Sequence, residues 1–190
     1  MVQFWQSETG VMAMYPKAYI EYLVHFHGDR DYFECHELLE EYWKEAPALE
    51  RDPVWVSLIQ IAVSLYHHRR GNFRGAERLL ANSIRFIRTN PGAMKDLGLQ
   101  EDTLADLLNE RLSDIQKGVP YKSIHLPISD LKLEHECKAL SEAKNMEWQS
   151  LSDLKDQGMI NRHKLRDRSD VIAERLNQLA EKQKTRRGLE

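Results

Sequence analysis

This chain of 190 residues lacks a long apolar run, a cysteine framework and any strand-like alternation of apolar and polar residues. No stretch approaches the roughly 18 apolar residues of a membrane span, so none is expected. Two cysteines, Cys35 and Cys137, make no metal-finger spacing and no disulfide framework. The N-terminus carries no basic-then-apolar signal pattern, so a cytoplasmic protein is expected. A Walker phosphate loop is missing, and the near-tetratricopeptide size of the helix pairs is not matched by recurring Gly and Ala positions. Charge of one sign is not dominant: the net is −3, with −5 over residues 1–120 and +4 over residues 162–190. The basic end interleaves acids with its bases, which argues against nucleic acid as a partner.

The 9 glycines and 6 prolines act mainly as punctuation. Pro16 opens a helix that Gly28-Asp29 ends. A second helix runs from about Asp31 to Glu45, before Pro47. Asp52-Pro53 starts a third, which Gly71 closes near Arg70. Asn72 caps a fourth, about Phe73 to Thr89, stopped by Asn90-Pro91-Gly92. A fifth spans about Glu101 to Lys117. Beyond Pro120, Tyr121 to Pro127 reads as an extended connector over the bundle. Ser129 is the expected cap of a sixth helix to about Lys144, with a seventh over Glu147 to Gln157 and a last one over Ser169 to Lys184. The fold class is therefore all-α: a bundle of about five helices in residues 1–120, then a connector and charged helical extension in residues 121–190.

Chemistry concentrates in the second helix, in Glu34-Cys35-His36-Glu37-Leu38-Leu39-Glu40-Glu41. At about 100° per residue, Cys35, Leu38, Leu39, Tyr42 and Ala46 form the core stripe. His36 and Glu40 fall beside it with Phe33 and Trp43. Glu34, Glu37, Glu41 and Glu45 fall on a charged outer arc. An imidazole and a carboxylate four residues apart share a face. Buried, they must pair or bind a metal. The third helix carries Ser57, Gln60, Ser64, His67 and His68 in one polar stripe, which either faces solvent or forms a seam against the second helix. In the seam, His67, with His68 as alternative, would join His36 and Glu40 as ligands of a divalent ion such as zinc. Gln60 would orient a ligand, and metal-bound water would serve as nucleophile in a hydrolysis.

Arg74, Arg78, Arg85 and Arg88 lie within about 80° of arc on the fourth helix. They form a solvated or ion-paired face, or else an anion site. Gly75 beside Ala76 reads as a place of close helix packing. The last helix has a thin apolar stripe, Val171, Ile172, Leu176 and Leu179, which suits a protein partner or self-association.

The order Phe26, Gly28, Tyr32-Phe33-Glu34-Cys35-His36-Glu37, Glu40, Trp43, Leu58-Ile59-Gln60-Ile61-Ala62, His67, Gly71-Asn72 and Gly75-Ala76 resembles the bacterial and archaeal family catalogued as domain of unknown function 309. The resemblance covers roughly residues 16–90. It implies a compact all-helical fold and no particular activity. His36, Glu37, Glu40, Trp43, Gln60, His67 and Asn72 occupy its motif positions. His27 stands where a small polar residue, often Asn, is expected. Two functions follow from these residues: a divalent-metal site built on His36, Glu40 and His67, or a helical interaction module in which the His/Glu pair is structural.

Overall fold

Helix-terminal side chains fix where the elements begin. In the computed structural model, which describes residues 5–6 and 12–162, Asp31 accepts bonds from Phe33 N and Glu34 N and opens the second helix. Asp52 accepts from Val54 N, with Pro53 in the first turn behind it. Asn72 accepts from Gly75 N. Each cap satisfies backbone N–H groups that a helix start leaves without partners. The elements are β1 (Trp5–Gln6) and β2 (Met12–Ala13), then α1 (Lys17–His27), α2 (Tyr32–Glu45), α3 (Pro53–Arg69), α4 (Phe73–Thr89), α5 (Ala93–Asp96), α6 (Glu101–Gln116), α7 (Leu131–Ala143) and α8 (Gln157–Ile160). β1 and β2 pair antiparallel over two residues each. The architecture is otherwise helical, as expected.

α3 sits between α2 and α4; α4 also meets α6, while α1 packs on α2 and α7. The core is rich in tyrosine. Tyr19, Tyr22 and Tyr32 are fully buried, so each hydroxyl needs a partner. Tyr19 donates to Leu97 O at 2.8 Å, Tyr22 to Leu58 O at 3.0 Å, and Tyr32 meets the Tyr121 hydroxyl at 2.6 Å. The connector does lie over the bundle, burying Tyr121, Ile124 and Leu126. Gln100 N donates to Pro127 O, and Leu99 bridges Ile128. The described residues up to Ile160 make one compact unit. The helix expected over 169–184 lies outside the described residues.

Three local expectations change. α7 is capped by Asp130, whose carboxylate accepts from Lys132 N and Leu133 N, instead of by Ser129. A short helix, α5, lies between α4 and α6. Residues 147–156 are not a helix but a strap across the body, and only Gln157–Ile160 turns helical. Asn145 and Gln149 hold φ of 55° and 61°, outside helical geometry.

The strap is tied down by a residue the sequence did not single out. Arg30 is fully buried and holds φ at 60°. Its Nε donates to Ser150 O at 2.7 Å, and its Nη1 to Phe26 O at 2.8 Å and Ile124 O at 2.7 Å. Its Nη2 lies 3.1 Å from His125 Nδ1. The Ser150 hydroxyl bonds Gly28 O, and Ser152 N donates to Ser123 Oγ at 3.0 Å. Beneath the strap, the His27 ring stacks on Trp148 with centroids 4.7 Å apart and on His125 at 5.7 Å. His27 is fully buried, and neither ring nitrogen has a hydrogen-bond partner. Burial, helped by the Arg30 and His125 charges, pulls its pKa down to about 3.

Candidate functional site

α2 starts at a fixed Asp31 cap, and its buried Cys35 and Leu39 orient it against the core. That rotation leaves His36, Glu37 and Glu40 together on a half-buried flank. Their side chains are 28%, 31% and 35% exposed, so the pair expected to be buried borders solvent. His36 Nδ1 lies 3.0 Å from Glu37 Oε1, and His36 Nε2 lies 3.4 Å from Glu40 Oε2. One ligand atom from each of the three can be chosen so that all lie within 4.8 Å of one another. Glu40 also meets Lys44 Nζ at 3.1 Å. The Phe33 ring borders His36, centroids 6.2 Å apart.

Glu37 is the first correction. The arc count placed it on the outer face, but its side chain reaches back to the neighbouring imidazole. A glutamate has enough rotatable bonds to cross the arc that separates adjacent helical residues.

His67 is the second correction, because it does not complete the cluster. It belongs to the α3–α4 corner, where its Nδ1 lies 2.9 Å from Asn72 Nδ2. His68, the alternative ligand, is buried with Nε2 2.8 Å from Val119 O. Burial lowers its pKa. The polar stripe of α3 is also redirected: Ser57 bonds Ser83, and Ser64 donates to Ala76 O. The seam therefore joins α3 to α4, not to α2. Gln60 is half-buried on α3. Trp43 is half-buried, with the Arg51 guanidinium 4.9 Å from its ring.

Arg74, Arg78, Arg85 and Arg88 are all exposed along α4. Arg85 donates to Asn82 Oδ1 at 3.2 Å and Arg88 to Asn109 Oδ1 at 3.4 Å. Such exposed charges are screened by solvent. Gly75 serves its own helix cap instead of helix packing: an added Cβ would lie 2.6 Å from Asn72 Nδ2. Both cysteines are buried, and burial holds the Cys35 thiol well above its ordinary range and pushes Cys137 to about 12. Neither is a thiolate nucleophile at neutral pH.

These features define a class. The chain belongs to the family of the domain of unknown function DUF309, whose model matches residues 19–79. That stretch opens in α1 and ends in α4, so it contains the His36 cluster and the Asn72 cap. A relative, the uncharacterized protein YpuF of Bacillus subtilis (strain 168), is 51% identical over 173 residues, 91% of this chain and 99% of that one. No solved structure matches the chain. No helix among the described residues is long and apolar enough to cross a membrane.

Proposed function

We propose that His36, Glu37 and Glu40 form a divalent-cation site on the flank of α2. The observation that supports this reading is the convergence of one imidazole and two carboxylates within 4.8 Å. One nitrogen and two carboxylate oxygens are a donor set that zinc and other first-row divalent ions accept. A bound ion would take one ring nitrogen and one oxygen from each glutamate, and would displace Lys44 from Glu40. Positions left open to solvent would hold water, so any hydrolytic role would rest on that water. The cation would be held in the half-exposed setting that exchange with solvent requires.

The test is equilibrium dialysis of the full chain against zinc or manganese, then elemental analysis. About one ion per chain is expected, with a rise in thermal midpoint, because a ligand that binds only the folded state stabilises it. His36→Ala and Glu40→Gln should each lose the ion while keeping their helical circular dichroism. A metal content near zero in the parent protein, or one unchanged in His36→Ala, would sink the proposal.

A further inference from the structure

We propose that the groove at the α2–α3 turn docks a basic, amphipathic peptide segment of another protein. The groove encloses about 870 Å³. Its apolar surface comes from Tyr42, Trp43, Trp55 and Phe86. Aromatic contacts hold it in shape: Tyr42 meets Trp55 edge-on with centroids 5.3 Å apart, and Tyr19 packs behind Trp55 at 5.7 Å. Leu49 and Met14 stand at the groove with 102% and 41% of their surface exposed. Large apolar side chains left in water beside aromatic rings are the mark of a surface that a partner covers.

Charge selects the partner. Glu45, Glu50, Asp52 and Asp96 line the same groove, and none makes an ion pair among the described residues. Among the described residues Arg51 is the one cation in the lining, and two of its five N–H donors are taken by backbone carbonyls. Its Nε donates to Ala46 O at 3.1 Å and its Nη2 to Lys44 O at 2.9 Å, with the guanidinium over Trp43. An apolar floor under carboxylates that make no ion pair fits a segment with apolar anchors on one face and Lys or Arg on the other. An acidic peptide or an anionic membrane surface would be repelled.

The test uses a fluorescently labelled helical peptide of leucine and lysine, with a leucine–glutamate peptide of the same pattern as control. The full chain should bind the first saturably, with affinity that falls as salt is raised, and should ignore the second. Combined Glu45→Lys, Glu50→Lys and Asp96→Lys changes should weaken binding about tenfold or more. Leu49→Asp should weaken it too. All four positions are exposed or at the rim, and circular dichroism will report whether the helices persist. Equal binding of both peptides, or binding indifferent to these substitutions, overturns the proposal. So does sedimentation showing a dimer that Leu49→Asp dissociates, since a second copy would then fill the groove.

Discussion

His27 carries the sharpest pH prediction. In the folded protein its imidazole stays neutral down to about 3, whereas in the unfolded chain it titrates near 6.5. Between those values the unfolded state binds a proton that the folded state does not. Stability is thus fully present above about 6.5 and falls as pH drops through that window, at roughly 1.4 kcal/mol per unit. Urea midpoints taken between pH 7 and pH 5, above most carboxylate titration, measure this slope. His27→Gln should make it shallower, leaving the share of His68 and His125, whose pKa values burial also lowers; an unchanged slope would mean that His27 does not titrate as described. Arg30 sets two energies against each other. Its left-handed backbone costs about 1–2 kcal/mol, which Gly would relieve. Its charge-assisted bonds to Phe26, Ile124 and Ser150 carbonyls are worth about 1.5–3 kcal/mol each. The bonds win, so Arg30→Gly should destabilise by about 3 kcal/mol or more in chemical denaturation. Arg30→Lys should recover little of it, because one ammonium cannot reproduce the planar fork.

At the scale of elements, most helices were legible because their punctuation is local. Asp52-Pro53, Gly71 and Asn72 act within one turn, and the structure uses them where the sequence places them. The strap was not legible, for an instructive reason. Trp148, Leu151 and Leu154 are spaced three apart and mimic a helical stripe, but only Trp148 is covered. Leu151 and Leu154 are 77% and 53% exposed. What decides the segment is distant: the Arg30 fork, the Ser123 hydroxyl and the His27 ring. The candidate site was half legible for the same reason. His36 and Glu40 share a face by spacing alone, whereas Glu37 joins through its rotamer and His67 leaves through the fold of the α3–α4 corner. Trp148→Ala should cost about 2 kcal/mol through lost stacking and burial. Hydrogen exchange should then rise at residues 145–156 and around His27, while amides of α3, flanked on both sides, stay protected. A uniform rise across the chain would argue against a separable strap.

At the scale of the molecule, the DUF309 match ends at residue 79, yet the first helix of that matched region is completed by residues far beyond it. α1 rests on α7, and its C-terminal end lies under the strap. The 51% identity with YpuF runs over nearly all of that protein's length. Metal and peptide binding therefore belong to the full chain: α2 carries the His36, Glu37 and Glu40 cluster and the groove's Tyr42 and Trp43, and its Asp31 cap adjoins the Arg30 anchor.

The bond from Arg30 to Ser150 joins residues 120 apart. A chain made from its N-terminus can form the neighbouring α1–α2, α2–α3 and α3–α4 contacts early, since each closes a short loop. His27 has no lid until Trp148 has been synthesised. A ribosome-bound fragment ending near α6 would therefore display an aromatic, partly cationic opening at the end of α1. Closing that opening needs a contact between residues 120 apart, which a chain growing from its N-terminus can make only after the contacts between neighbouring helices.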